Sequence, residues 1–154
     1  MEQTDMAKKL FAQAQKMTLS MSLAVIAYGV IAYYLIHIGK AGPAVLDPQT
    51  YTLVKYAALA VSAAGIFAMW QVGLKMAGMA QTSTPPEERP VQRMFVKTII
   101  LCAAAEVPVL LGLLLVFFGK QPTDYIPFAV LSAAGFILAF PRKQQWVNWL
   151  GSDF

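Results

Sequence analysis

The sequence predicts an all-α, polytopic membrane protein, and three observations lead to this class. Hydrophobic residues make up 58% of the 154 residues and charged residues only 13%, whereas soluble domains contain about 45–50% and about 25%. The mean hydropathy is +0.56. The apolar residues are also grouped into runs close to the roughly 20 residues that cross a bilayer. Because open strands leave backbone groups unsatisfied in lipid, these runs are predicted to be helices.

Four such runs follow one another along the chain. The third is interrupted by Glu106, and the fourth, the shortest, is bounded by Asp124 and Arg142. The chain length fits one membrane domain, residues 1–154. We therefore expect four transmembrane helices forming two hairpins, at about residues 19–38, 56–74, 98–118 and 125–140.

The basic residues are distributed unevenly between the two ends of these predicted spans. Nine of the twelve Lys and Arg residues precede the first span, lie between the second and third, or follow the fourth. The other three are Lys40, Lys55 and Lys120. The positive-inside rule then places both termini and the loop at residues 84–91 in the cytoplasm. We expect a multi-pass protein of the cell inner (cytoplasmic) membrane, whose net charge of +4 needs no nucleic-acid partner.

Two segments outside the spans are predicted to lie at the membrane surface. Residues 6–17 have the pattern of a short amphipathic interfacial helix. In residues 144–150, Trp146, Trp149 and Leu150 are spaced at i, i+3 and i+4, and Trp is favoured at the interface. The lipid bilayer is thus the expected partner of both segments.

A weak internal repeat relates the two predicted hairpins. Residues 62–65 read Ser-Ala-Ala-Gly, and the same four residues recur at 132–135. A Gly-Lys pair ends the first span at residues 39–40 and the third at residues 119–120. Tandem duplication of one hairpin and coincidence in Ala-rich helices both explain these matches.

Small residues in the second span suggest how the helices pack. Ala60, Ala64 and Ala68 repeat every four residues, and such ridges let helix backbones approach closely in lipid. We therefore expect the second span to be the central packing helix. The third span, rich in Leu, Val and Phe after Gly112, is expected to have a lipid-facing side.

Glu106 is the most informative residue, since it is the ninth of the 21 residues of the third span. A charged side chain at the bilayer centre costs about 2.5–3.5 kcal/mol on insertion scales, and such residues mark ion paths or proton relays. Because burial disfavours the anion, we expect Glu106 to be largely protonated. Pro108 lacks an N–H and frees the carbonyl of Ala104 as an acceptor. A simple proline kink is the alternative.

The residues beside Glu106 favour a proton over a metal ion. Hard cations need several oxygen ligands, and residues 107–109 carry no hydroxyl. Ser62 and Gln71 of the second span are the nearest polar candidates by depth. The sequence has no Cys/His cluster, phosphate loop or nucleophile triad, so neither a cofactor nor an enzyme activity is expected.

The run Glu-Val-Pro-Val-Leu-Leu-Gly-Leu at residues 106–113 resembles the outer helix of subunit c of the F- and V-type rotary ATPases. In that family the ion-binding carboxylate lies six residues before a Gly-Leu pair. The Pro-rich loop at residues 85–90 and the segment at residues 75–80 are also similar, so the resemblance covers about residues 56–119. It implies that Glu106 is the ion-carrying carboxylate. We further expect Pro108, Gly112 and Ser62 to belong to the ion-binding site.

Two functions are therefore expected. The first is a small, c-subunit-like membrane subunit of a larger complex that reversibly binds a proton at Glu106. The alternative is a non-catalytic accessory subunit in which Glu106 only hydrogen-bonds a partner helix or lipid. In both cases the partners are other membrane subunits or copies of the chain itself. A small transporter is less favoured, because only one span has an ionisable residue at its centre.

Overall fold

The chain folds into a bundle of long helices. This computed structural model describes residues 2–38, 46–79, 89–119 and 121–150. The helices are α1 (Glu2–His37), α2 (Pro48–Met79), α3 (Arg89–Gly119), α4 (Tyr125–Ala139) and the short α5 (Lys143–Leu150), with a 3₁₀ turn at Pro122–Asp124. Within these ranges there is no strand, and four helices are long and apolar enough to cross a membrane. The predicted all-α membrane fold is confirmed.

Local sequence explains several of the helix ends. Asp47 caps α2, because its Oδ1 accepts the backbone N–H groups of Gln49 and Thr50 at 3.1 and 3.0 Å. Hydrogen bonding by Thr50 lowers the pKa of the Asp47 carboxyl. The helix α4 ends where Phe140 adopts an extended conformation, since the residue before a proline, here Pro141, is disfavoured in the α region.

The central helix is α3, not the second span as the sequence analysis predicted. It packs against α1, α2, α4 and α5. In the apolar stretch of α3, 39% of the residues are buried, compared with 6% in that of α2. The ridge of Ala60, Ala64 and Ala68 is exposed on the outside of the bundle. Small side chains permit close approach to a helix but do not specify which helix, and this ridge faces away from the rest of the chain.

One face of α3 lies on the outside of the bundle, as expected for a lipid-facing side. Val107, Leu110, Leu114 and Phe118 are 40–49% exposed and recur every three or four residues along one helix face. The opposite faces of α3 are occupied by the neighbouring helices.

Residues 6–17 do not form a separate interfacial helix, because they are the first part of the continuous helix α1. No Gly or Pro occurs before Gly29 to interrupt it. This part packs against the beginning of α3 and against α5, which lie at the same end of the bundle. We call this end the terminal end, defined by the buried cluster Ala7, Ala14, Val91, Met94 and Trp146.

Trp146 is also placed differently from the prediction. It is 1% exposed, and its ring meets the ring of Phe11 edge to face, with centroids 5.4 Å apart. It therefore anchors α5 to α1 rather than contacting lipid. The side chains of Trp149 and Leu150 lie outside the described residues, as do Gly39, Lys40, Lys120 and residues 80–88, which hold most of the predicted cytoplasmic loop.

Candidate functional site

Glu106 lies near the middle of α3 and is half-buried between α3 and α1. The hydroxyl of Tyr28 in α1 donates a hydrogen bond to Glu106 Oε1 at 3.3 Å. This is longer than the usual 2.7–2.8 Å of an O–H···O bond. In the described part of the chain, the polar partner of the Glu106 carboxyl is thus one neutral hydroxyl at long range.

The surroundings of this pair are otherwise apolar. Val25, Ala105 and Val109 belong to the core cluster between α1, α3 and α4. Cys102, one helical turn before Glu106, is completely buried, with its Sγ 3.3 Å from the Thr18 hydroxyl oxygen. The Thr18 hydroxyl donates to a backbone carbonyl of α1, so its oxygen remains free to accept the thiol proton. Cys102 is therefore satisfied without Glu106.

The other predicted ion-binding residues do not meet at Glu106. A Cβ added at Gly112 would lie 2.7 Å from Phe128 Cβ, so Gly112 allows α4 to approach α3. Pro108 is fully buried. Ser62 lies on α2, which packs against the Leu115 side of α3. Leu115 follows Glu106 by nine residues, which places it on the opposite side of the helix at about 100° per residue.

Ser62 is 2% exposed, and its hydroxyl has no hydrogen-bond partner among the described residues. The structure therefore places Ser62 and Glu106 on opposite sides of α3, and the two side chains do not bind each other. This separation was not predictable, because depth along the membrane says nothing about direction around a helix.

A hydroxyl does reach the backbone near Pro108, but it comes from α4. Ser132 Oγ donates to the carbonyl of Ala105. The carbonyl expected to lose its helical donor was that of the preceding residue, Ala104. The group that binds the backbone beside the proline is thus a serine of the neighbouring helix, and Glu106 is bound by Tyr28 instead.

A carboxylate more deeply buried than that of Glu106 belongs to Asp124, which was not predicted as a site residue. Asp124 is 5% exposed and accepts hydrogen bonds from Lys55 Nζ at 2.6 Å and from the Tyr51 hydroxyl at 2.5 Å. The three side chains line a cleft of about 270 Å³ at the end of the bundle opposite the terminal end. Lys55 and Asp124 both flank predicted spans on the same side of the membrane, and this shared position could have indicated an ion pair between them.

The two carboxyl groups have different chemical capacities. Asp124 accepts hydrogen bonds from the Lys55 ammonium and from the Tyr51 hydroxyl. Glu106 faces a hydroxyl, which can donate to a carboxylate or accept from a carboxylic acid. No group of three or more His, Cys, Asp or Glu side chains that could hold a metal ion occurs among the described residues. The Glu106 carboxyl thus has a neutral hydrogen-bond partner, whereas Asp124 has a cationic one.

Comparison of the chain with protein-family models, with curated proteins and with solved structures finds no match. The geometry of Glu106 and its neighbours is therefore the basis for a functional assignment.

Proposed function

We propose that this chain is a small integral membrane subunit in which Glu106 reversibly binds a proton near the middle of the bilayer. The observation that carries this proposal is the half-buried carboxyl whose described polar partner is the neutral Tyr28 hydroxyl. A carboxylate at this depth is costly without a cation, and a bound proton removes that cost. Since Tyr28 can donate to the anion or accept from the acid, both protonation states keep a partner.

The proposal extends to orientation and assembly. The resemblance of residues 106–113 to the outer helix of subunit c supports a c-like role within a larger complex. The excess of basic residues flanking the spans at one side supports an inner-membrane protein with both termini in the cytoplasm. The close packing of α1, α3 and α5 at the terminal end agrees with both termini lying on one side.

The proton site is tested by labelling the purified chain with a hydrophobic carbodiimide, which modifies protonated carboxyls in apolar surroundings. We expect Glu106 to be modified at neutral pH and Glu106→Gln to abolish the label. Asp124 is the internal control, because its ion pair with Lys55 should leave it unmodified. Absence of label on Glu106 at neutral pH, in a preparation whose helix content by circular dichroism shows that the fold is kept, would contradict the proton role.

A second measurement examines the part played by Tyr28. Tyr28 is the described polar partner of the Glu106 carboxyl, so Tyr28→Phe should change the rate at which Glu106 is labelled at neutral pH. Tyr34→Phe is the matched control, because Tyr34 lies on the same helix but is 60% exposed. If both variants are labelled at the rate of the original chain, Tyr28 has no influence on the proton site.

The second candidate is a non-catalytic accessory subunit, and one feature of α2 supports assembly with another membrane helix in either role. The ridge of Ala60, Ala64 and Ala68 faces outwards, and ridges of this kind commonly contact another membrane helix. Native mass measurement of the purified complex separates the candidates. A ring of identical copies supports the c-like role, while one copy beside unlike subunits, with no label on Glu106, supports the accessory role.

The same ridge provides a variant for this measurement. Ala64→Leu should reduce recovery of the assembled complex, because a larger side chain keeps a partner backbone at a distance. Ala134→Leu is the control, since it makes the same change at an exposed position of α4. Equal recovery of the complex from both variants would show that the ridge is not an interface.

A further inference from the structure

An apolar groove runs along the outside of the bundle between α1 and α4. Its walls include Leu19, Val25 and Ile26 of α1, together with Phe136 and Ile137 of α4. It extends over about 12 Å of helix, from residue 18 to residue 26 at about 1.5 Å per residue. Its volume is about 490 Å³, within the range of about 300–1,000 Å³ found for small-molecule sites.

The hydroxyl groups in this groove are already satisfied by their own helix. Thr18 Oγ1 donates to the carbonyl of Ala14 at 2.9 Å, and Ser22 Oγ donates to the carbonyl of Leu19 at 2.8 Å. The two hydroxyls therefore do not require a hydrogen-bond partner from a ligand. Along its length the groove suits a hydrocarbon chain.

One end of the groove is positively charged. Arg142 lines this end, is exposed, and has no acidic partner among the residues that the structure describes. It follows Pro141 and precedes α5, so it lies at the terminal end of the bundle. It also lines an adjoining cleft of about 190 Å³ that contains Lys97 and Gln145. The Lys97 ammonium and the Gln145 amide thus lie near the Arg142 guanidinium.

We propose that this groove binds one anionic phospholipid, with an acyl chain between α1 and α4 and the phosphate on Arg142. A guanidinium matches phosphate oxygens with two parallel N–H donors. Basic pockets between membrane helices commonly hold anionic head groups. The apolar walls fit the acyl chain of such a lipid, and the positive charge at one end fits its phosphate.

The rim of the groove argues against a partner helix as its occupant. Leu19, Ile26 and Ile137 are 57%, 66% and 65% exposed, so their bulky side chains project outwards. Close packing of membrane helices favours small residues at the contact, whereas a flexible acyl chain can follow the gaps between large side chains. A lipid therefore fits this surface better than a second helix.

Native mass spectrometry of the full chain in mild detergent tests the proposal, with phosphatidylglycerol and phosphatidylcholine of identical acyl chains as probes. We expect one phosphatidylglycerol per chain to be retained about tenfold more strongly than phosphatidylcholine. Both lipids carry a phosphate, but the choline ammonium of phosphatidylcholine offsets its charge and is repelled by Arg142 and the neighbouring Lys97. Arg142→Gln should reduce this preference to near unity. Lys75→Gln, an exposed cation on α2 outside the groove, should leave it unchanged.

A second variant tests the acyl-chain half of the site. Ala133→Trp fills the groove and should reduce retention of both lipids, with helix content by circular dichroism showing that the fold is kept. Inorganic phosphate should not displace the lipid, because it lacks the hydrocarbon part. Equal retention of the two lipids, an unchanged preference in Arg142→Gln, an equal loss in Lys75→Gln, or displacement by inorganic phosphate would each overturn the assignment.

Discussion

The tetrapeptide Ser-Ala-Ala-Gly occurs in α2 at residues 62–65 and in α4 at residues 132–135, and the two copies have different surroundings. Ser132 is completely buried and donates to the carbonyl of Ala105, whereas Ser62, almost as buried, has no partner in the described structure. A Cβ added at Gly135 would lie 2.9 Å from Ala105 Cβ, while nothing lies within 4 Å of the same position at Gly65. One copy forms a helix contact and the other faces partly outwards.

The difference shows that the contacts made by a small-residue motif depend on which helix face it occupies and on what packs against that face. Gly135 is buried, whereas Gly65, at the same place in the other copy, is exposed. Gly135 thus lies on the face of α4 that is pressed against α3, and Gly65 lies on a face of α2 that this chain leaves open. Both explanations of the repeat, duplication and coincidence, are compatible with this inequality.

The largest expected effect comes from Gly135→Ala. The new Cβ would meet Ala105 Cβ, which is fixed to its backbone and cannot rotate away, so α3 and α4 must move apart. Overpacking costs about 1–3 kcal/mol, and we expect the free energy of unfolding in mixed micelles to fall by about 2 kcal/mol. Gly65→Ala should be neutral or stabilising by at most about 1 kcal/mol, since Ala has the higher helix propensity. Equal effects would show that the two glycines have equivalent surroundings.

A double-mutant cycle tests the stated cause of that loss. Ala105→Gly removes the side chain that the new Cβ would meet. Combined with Gly135→Ala, it should destabilise less than the sum of the single changes, by about 1 kcal/mol, as expected for residues in contact. Strict additivity would mean that another contact, such as Ile66 Cδ1 at 3.2 Å, is responsible.

A smaller contrast is expected between the two serines. Ser132→Ala removes the donor to the Ala105 carbonyl and should lower the free energy of unfolding by about 1 kcal/mol, the net value of a typical hydrogen bond. Ser62→Ala removes a buried hydroxyl without a partner, so it should leave stability unchanged or raise it. The same unfolding titration measures both. A loss in Ser62→Ala as large as that in Ser132→Ala would show that Ser62 has a partner in the micelle.

One residue of the candidate site, Glu106, was predictable from the sequence, but its contacts were not. Glu106 was identified because one charged residue in an apolar run is conspicuous without any structure. Tyr28 was not, since one of many aromatic residues gives no signal of its own and its side chain reaches Glu106 from 78 positions away. Asp124 was treated as a boundary of the fourth span, and its pairing with Lys55 depends on how α2 and α4 lie beside each other.

The sequence by itself determined the all-α class, the number of membrane-crossing helices and the position of the central carboxylate. These properties follow from hydrophobicity along one chain segment, since each helix satisfies its own backbone in lipid. Only the tertiary structure decided that α3 is central, that Tyr28 is the partner of Glu106, and that Gly135 rather than Gly65 is packed. These depend on the rotation of each helix about its axis, which is fixed by side chains of several helices meeting at once.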